Sequence, residues 1–217
     1  MTGDLFDNGE PRLLDLPDAD IRYWSRIDLG APLDRILQEL IEQTPWRSEV
    51  ITLWGQEHRQ PRLTAWFGEP GARYTYSGLS LEPLPWTDLL SDVRSRVETL
   101  AGASFNSVLM NYYRDHRDSM GMHSDDEPEL GRNPTIASLS LGEQRTFVLK
   151  HRFRKDLKPV NIELESGSLL LMKGATQHHW KHGINKLSRP CGPRVNLTFR
   201  RVSAGRGLCE ACADATP

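Results

Sequence analysis

The chain has 217 residues, enough to bury a core of its own, and its 38% hydrophobic and 26% charged residues are ordinary for a globular protein. Its net charge of −2 excludes a strongly basic protein, the simplest kind of nucleic-acid binder. No apolar run approaches the roughly 20 residues of a membrane-spanning helix, so we expect no membrane partner.

Residues 1–22 are acidic and apolar only in patches, which predicts a flexible arm. They lack the apolar core of a signal peptide, so we expect a cytoplasmic protein. Apolar residues at helical spacing then predict an amphipathic helix over 32–43 and a second helix over 87–101. Thr87 is the expected N-cap of the second helix, and Gly102 is its expected end.

After the second helix the pattern changes to short apolar-rich runs separated by turn residues, which predict strands. The runs are 105–113, 134–141, 145–151, 158–164, 168–172 and 194–202. Helices followed by many short strands favour an α+β chain with a β-sandwich or jelly-roll core, one domain over 23–202. Residues 203–217 are expected to form a flexible tail, because the lone pair Cys209 and Cys212 lacks the two further ligands of a zinc site.

A candidate metal site begins at His123-Ser124-Asp125. Residues two apart on an extended segment point to the same side, so His123 and Asp125 can turn toward one point. Two histidines and one carboxylate on one face suit Fe(II), because the opposite positions stay open for substrate and oxygen. The H-x-D pair by itself is a weak signal, and spacing alone does not choose the third ligand among His178, His179 and His182.

The segment 194–200 alternates strictly between polar and apolar residues. Its polar face carries Arg194, Asn196, Thr198 and Arg200. The two arginines, about 20 Å apart at about 3.3 Å per residue, can bracket a small dicarboxylate through paired hydrogen bonds. An exposed edge strand that carries charge is the alternative. Asn111 and Tyr113 lie two apart on a predicted strand and offer further hydrogen bonds to a carboxylate or keto acid.

In chain order, N-x-Y, H-x-D, a distal histidine and R-x-N-x-T-x-R resemble the AlkB family of Fe(II)- and 2-oxoglutarate-dependent dioxygenases. The likeness is greatest to the DNA-repair members of the eukaryotic nuclear type, and it runs from about residue 50 to residue 202. It is dense through Ser77-Gly-Leu-Ser, Met122-His-Ser-Asp-Asp-Glu127, Ile136-Ala-Ser-Leu-Ser and Pro193-Arg-Val-Asn-Leu-Thr-Phe-Arg-Arg201. The resemblance implies a double-stranded β-helix, or jelly roll, with the N-terminal helices packed outside it.

The resemblance also assigns ligands, residue by residue. It makes His123, Asp125 and His182 the iron ligands, because the family places its distal ligand two residues after the tryptophan of H-W-x-H. It assigns the binding of 2-oxoglutarate to polar residues, with Asn196 on the same strand face as three of them. These residues are Asn111, Tyr113, Arg194, Thr198 and Arg200. The implied cofactors are Fe(II), 2-oxoglutarate and O2, with ascorbate as the reductant in vitro. The implied reaction oxidises an N-methyl group to formaldehyde while 2-oxoglutarate becomes succinate and carbon dioxide.

The substrate residues are assigned on the same resemblance. A methylated base must leave the duplex to reach a buried metal, so the enzyme needs a base pocket and a wedge. The residues so assigned are Tyr74, Tyr76 and Ser77 for the pocket wall, Asp126 and Glu127 for the cationic lesion, Trp54 for the wedge, and Arg62 for a phosphate contact or pocket support. The alternatives are a solvated acidic turn at 126–127 and a hairpin tryptophan that packs under its own loop.

The segment from Arg145 to Lys158 contains six basic residues and only one acidic residue, Asp156. This excess of positive charge predicts sequence-independent affinity for phosphates, or alternatively a charged strand edge. We therefore expect a monomer that removes methyl groups from N1-methyladenine and N3-methylcytosine in single- or double-stranded DNA. An RNA demethylase, a hydroxylase of proteins or small molecules and a non-catalytic nucleic-acid reader are the alternatives.

Overall fold

The computed structural model describes residues 9–53, 56–72, 74–76 and 79–203, and two antiparallel sheets dominate it. The larger sheet contains, in spatial order, β1 (Arg12–Leu14), β2 (Asp20–Trp24), β13 (Leu169–Lys173), β10 (Ile136–Gly142), β15 (Arg194–Arg200), β8 (Ser107–Tyr113) and β5 (Leu63–Gly68). The smaller sheet contains β12 (Val160–Leu164), β11 (Arg145–His151), β14 (Trp180–Ile184) and β9 (Met120–His123). Two hairpins stand apart, β3 (Val50–Leu53) with β4 (Gln56–Arg59) and β6 (Tyr74–Tyr76) with β7 (Leu79–Leu81).

The two sheets face each other across a shared core. Ile136 and Leu170 of the larger sheet pack in one apolar cluster with Phe147, Leu149 and Trp180 of the smaller sheet. This pair of facing antiparallel sheets confirms the predicted jelly-roll core and its six predicted strands, each within two residues of its expected ends.

Strand β15 lies in the middle of the larger sheet, between β10 and β8, and all seven of its residues are buried. The alternative of an exposed edge strand is therefore wrong. Val195, Leu197 and Phe199 pack into the cluster that contains the helices, so the polar face of β15 turns toward the smaller sheet. The strict alternation predicted from the sequence thus separates an apolar packing face from a polar interior face.

The two long helices lie where the spacing predicted them, α1 at Leu33–Gln43 and α2 at Asp88–Ala101. The Thr87 hydroxyl accepts a hydrogen bond of 3.2 Å from the backbone N–H of Leu90, as expected of an N-cap. Gly102 ends the helix in the left-handed region at φ 60°, where a side chain would be strained. Ile36 and Val93 bury the apolar faces of the two helices in the cluster behind β15.

The prediction of a flexible arm over residues 1–22 is wrong from Arg12 onward, because the chain there belongs to the larger sheet. Strand β2 pairs with β13, and its Ile21 is buried against the core. The sequence did not predict β1 and β2, because β2 pairs with β13, some 150 residues further along the chain, and β1 joins the sheet through β2. The short strands β9 and β14, the hairpins and the four-residue helix α3 (Thr176–His179) were also not predicted. Among the described residues, no helix has the length and apolar character required to cross a bilayer.

Candidate active site

A cavity opens between the two sheets. It is lined by Tyr113, Met120, His123, Asp125, Ser138, Phe147, Met172, His182, Gly183, Ile184, Arg194, Asn196, Thr198 and Arg200. The cavity therefore gathers the predicted metal ligands and the polar face of β15 in one place.

His123, Asp125 and His182 form a three-ligand cluster whose metal-binding atoms lie within 4.8 Å of one another. His123 in β9 is paired directly with His182 in β14, and their rings lie 4.4 Å apart between centroids. Asp125 follows β9 by two residues, so the strand pair fixes all three positions. The remaining histidines of the motif lie elsewhere, since His178 contacts Arg132 and His179 lies near His151. The structure thus brings His182, rather than the other two, to the site.

Asp125 is hydrogen-bonded through both its backbone N–H and its carboxylate. Its backbone N–H donates to Gln177 Oε1 at 2.9 Å, and its Oδ1 accepts from Arg200 Nη2 at 2.6 Å. Its Oδ2 is buried and has no hydrogen-bond partner among the described residues, as expected of an oxygen that ligates a metal. Burial raises the pKa of this carboxyl group, but the charge of the Arg200 guanidinium and its hydrogen bond outweigh that effect, and the pKa is lowered to about 2. The carboxylate is therefore anionic at neutral pH.

Each of the two histidines is fixed by its neighbours, and His182 is neutral at neutral pH. His123 Nδ1 lies 3.0 Å from the carbonyl of Gly121, and because a carbonyl can only accept, Nδ1 carries the proton and Nε2 is left to bind. Burial, together with the neighbouring His123, lowers the pKa of His182 to about 3. Phe147 stacks on the His182 ring at 5.1 Å and 21°, which fixes the plane of that ring.

Arg194 lies at the other end of the cavity and is buried without a counterion. Its Nη2 donates to Ser140 Oγ at 2.9 Å, but its Nε and Nη1 have no partner in the described part of the chain. Burial lowers the pKa of its guanidinium, which carries its charge nonetheless. The guanidinium lies 5.1 Å from the ring centre of Tyr113. Two vacant donors on a buried cation fit a carboxylate ligand.

The other predicted cosubstrate residues face the same interior, but some of their hydrogen bonds are already made. Asn196 donates to Ser138 Oγ and the Leu139 carbonyl, and it accepts from Thr198, so its amide stabilises the sheet. Asn111 lies opposite Asn196 on β8, and its buried Nδ2 has no partner among the described residues. Asn111 therefore retains a donor for a ligand, whereas the amide of Asn196 does not.

The residues present thus fit both implied groups. The cluster offers two neutral nitrogens and one anionic oxygen, the donor set that suits Fe(II). The unpartnered donors of Arg194 and Asn111 suit the carboxylates of 2-oxoglutarate.

The predicted substrate residues are described only in part. Trp54 and Ser77 lie outside the described residues, and for Tyr74 and Tyr76 the structure describes only their backbone pairing in β6. Arg62 is buried and donates from Nε to Asn111 Oδ1 at 2.7 Å, so it supports the pocket and is not placed for a phosphate contact.

Of the acidic pair that follows Asp125, Asp126 and Glu127, the first makes an ion pair. Asp126 Oδ2 accepts from Arg152 Nη1 at 2.7 Å, in an ion pair at the surface. Glu127 is half-buried and precedes a short 3₁₀ helix, Pro128–Leu130. In the basic stretch, Lys150, Arg152, Arg154, Lys155 and Lys158 are exposed. Arg145 is buried and so does not belong to that surface.

Sequence reasoning missed several residues that build the site, above all Gln177, Phe147 and Arg145. For two of them a signal was present, because alternation along 145–151 places Arg145 and Phe147 on one face with Leu149. That face is interior, although the run of basic residues suggested a surface. For Gln177 no local signal exists, since its contact with Asp125 spans 52 residues.

Comparisons with known proteins agree with this site. The family model of the 2OG-Fe(II) oxygenase superfamily matches residues 31–200. Alpha-ketoglutarate-dependent dioxygenase alkB homolog 3 of Homo sapiens is 44% identical over 177 residues, which cover 78% of this chain and 61% of that protein. DNA oxidative demethylase ALKBH2 of Mus musculus is 40% identical over 181 residues, which cover 79% of this chain and 76% of that protein.

The solved structure of OsALKBH1 has the same fold, with a TM-score of 0.60 at 17% identity, covering 88% of this chain and 99% of that one. Against the alkB homolog 3 proteins of Homo sapiens and Mus musculus, this chain spans about three fifths of the relative's length.

Proposed function

Because the chain belongs to the 2OG-Fe(II) oxygenase superfamily and, within it, to the AlkB family, we propose that it removes methyl groups oxidatively from alkylated bases in DNA. One observation carries the proposal. The cluster of His123, Asp125 and His182 shares a single buried cavity with Arg194, a buried cation that has two unpartnered donors. A metal and a dicarboxylate beside each other are the requirement of this chemistry.

In this reading His123, Asp125 and His182 would hold Fe(II), and Arg194, Tyr113 and Asn111 would hold 2-oxoglutarate. Bound together, Fe(II), 2-oxoglutarate and O2 supply an oxidation that inserts one oxygen atom into a methyl C–H bond and places the other in succinate, with loss of carbon dioxide. The hydroxymethyl group on the base nitrogen then leaves as formaldehyde. The electron pair of the broken C–N bond returns to the ring nitrogen, and the hydroxyl proton goes to solvent.

The protein itself fixes the orientation of the metal ligands and excludes water from the site. Arg200 and Gln177 fix the orientation of Asp125, and Phe147 fixes the ring of His182, so the ligands need little rearrangement when the metal binds. The two sheets enclose the cavity, and we infer that α1 and α2 support this geometry from outside the larger sheet. A dry and rigid site strengthens every electrostatic contact inside it.

The proposed substrates are N1-methyladenine and N3-methylcytosine in DNA, and the relative named DNA oxidative demethylase ALKBH2 supports DNA as the polymer. The exposed basic residues from Lys150 to Lys158 lie beside the acidic pair Asp126 and Glu127, since Arg152 contacts Asp126. They would add phosphate affinity that does not depend on sequence. An RNA demethylase shares every residue of the site. We further propose that the protein acts as a monomer in the cytoplasm.

The test incubates the full chain with Fe(II), ascorbate, 2-oxoglutarate and O2 and one of four matched oligonucleotides, which are single- and double-stranded DNA and RNA with one N1-methyladenine. Mass spectrometry follows the loss of 14 Da, the mass difference between a methyl group and hydrogen, and succinate is measured in parallel. We expect demethylation of DNA by the wild type and none by His123→Ala. Faster demethylation of RNA would favour the alternative polymer, and succinate without demethylation would reject these substrates while keeping the oxygenase.

A further inference from the structure

Arg145, at the start of β11, is one of the largest fully buried side chains among the described residues. Its guanidinium donates to three backbone carbonyls, those of Asp115, Asp118 and Asn185, at 3.5, 2.9 and 2.5 Å. Its Nε has no partner in the part of the chain that the structure describes. Within the described part of the chain, the hydrogen-bond partners of this buried guanidinium are therefore all main-chain carbonyls.

Arg145 is not among the described residues that line the cavity, but it lies close to Arg194, one of the two buried arginines that do. The guanidinium of Arg145 is 5.6 Å from the ring centre of Tyr113, and that of Arg194 is 5.1 Å from the same centre. Burial lowers the pKa of Arg194, and the nearby charge of Arg145 lowers it further, so the two groups sense each other. Neither arginine makes an ion pair with a carboxylate among the described residues.

We propose that Arg145 is a specificity-determining residue that, with Arg194, selects a cosubstrate with a second carboxylate at its far end. The proposal rests on the proposed function and deepens it. Two like charges buried beside one aromatic ring are unfavourable unless an anion joins them, because an uncompensated buried charge is costly. The distal carboxylate of 2-oxoglutarate would be bound by Arg194 and stabilised at longer range by Arg145.

The role of Arg145 differs from that of a residue that only holds loops in place. A loop-holding residue contributes equally to the binding of any 2-oxo acid, because the metal end of the cosubstrate is the same in all of them. A charge that acts on the distal carboxylate contributes only when that carboxylate is present. The two roles are therefore separated by comparing 2-oxoglutarate with 2-oxopentanoate, which has the same carbon chain and lacks the distal carboxylate.

The experiment measures binding rather than turnover. The full chain, with Mn²⁺ in place of Fe(II), is titrated calorimetrically with 2-oxoglutarate and with 2-oxopentanoate. The variants are Arg145→Gln, which removes the charge, Arg145→Lys, which keeps it, and Arg35→Gln as the matched control. Arg35 lies on α1 and is exposed, so its substitution removes the same charge from the surface.

We expect Arg145→Gln to weaken 2-oxoglutarate binding about tenfold or more and 2-oxopentanoate binding less than about threefold, because charges act strongly at short range inside a protein. Arg35→Gln is expected to leave both affinities unchanged. An equal loss for both acids, or no loss for either, would overturn the proposal.

If the Arg145→Gln variant does not fold, Arg145→Lys is used to test the proposal. Because the lysine keeps the charge, we expect the preference for 2-oxoglutarate over 2-oxopentanoate to stay within about threefold of the wild type. A collapse of that preference while the charge is retained would reject the proposal. A wild-type chain with Mn²⁺ that binds no 2-oxoglutarate would instead reject the proposed function itself.

Discussion

At the scale of single residues, the two carboxylate oxygens of Asp125 have different surroundings. One oxygen is bound by Arg200, the other has no hydrogen-bond partner among the described residues, and the backbone N–H of the same residue donates to Gln177. The side chain therefore cannot rotate without breaking a charged hydrogen bond in a buried place, where such a loss is costly. This arrangement presents one oxygen to a metal before any metal is bound.

Gln177 carries a prediction that belongs to this scale. Replacing Gln177 by leucine leaves the buried N–H of Asp125 without its acceptor, so the carboxylate loses part of its support. We expect Mn²⁺ affinity to fall about 10- to 100-fold, the usual effect of losing a residue that orients a metal ligand. Titration of Mn²⁺ by electron paramagnetic resonance measures it. Gln144→Leu, at an exposed position, is the control, and equal affinities of the two variants would contradict the prediction.

At the scale of elements, strand β11 contributes more to the site than its basic residues suggest. Its inward face carries Arg145 beside Tyr113 and Phe147 beside His182, while its outward face carries Lys150. One strand thus supports the cosubstrate end of the cavity, one metal ligand and a charged surface. The pleat makes this possible, because successive side chains point to opposite faces.

Phe147 provides the corresponding prediction. Its ring packs on His182 and is 6% exposed, so Phe147→Ala opens a cavity against a metal ligand. We expect the free energy of unfolding to fall by about 3–5 kcal/mol, the range for losing a buried aromatic side chain. Chemical denaturation measures the loss. Phe153→Ala is the matched control, because Phe153 is 66% exposed and its removal should change stability by less than about 0.5 kcal/mol. Similar losses from both substitutions would disprove the packing role.

At the scale of the whole molecule, the site exists only where two sheets meet. His123 and His182 come from the smaller sheet, whereas Arg194, Arg200 and Tyr113 come from the larger one. Ligands bound between the sheets therefore connect the two layers of the core. Anything that binds the folded state alone stabilises it by mass action.

Metal and cosubstrate should therefore stabilise the folded chain together. We expect saturating Mn²⁺ with 2-oxoglutarate to raise the melting temperature by about 5 °C or more, from about 2.7 kcal/mol at a hundredfold excess over Kd in a chain of this size. Chelation of the metal should reverse the rise. Differential scanning calorimetry measures it, with His123→Ala as the control. A rise of the same size in that variant would show that binding does not use the metal cluster.

The sequence by itself determined the local features whose cause is local. The helical spacing of α1 and α2, the caps at Thr87 and Gly102 and the alternation of β15 follow from periodicity and backbone chemistry. The order of N-x-Y, H-x-D and R-x-N-x-T-x-R likewise identified the residues that the fold brings to one cavity, because each motif spans only a few positions.

Only the tertiary structure decided the features that depend on distant pairing. It placed His182, which the family resemblance had assigned, opposite His123 because β14 pairs with β9, and it joined β2 to the sheet through β13. It also moved Arg145 from an apparent basic surface into the interior, since the face that a strand buries is fixed by the sheet opposite it. These choices rest on contacts across many residues, whose energies arise only when the two sheets close on each other.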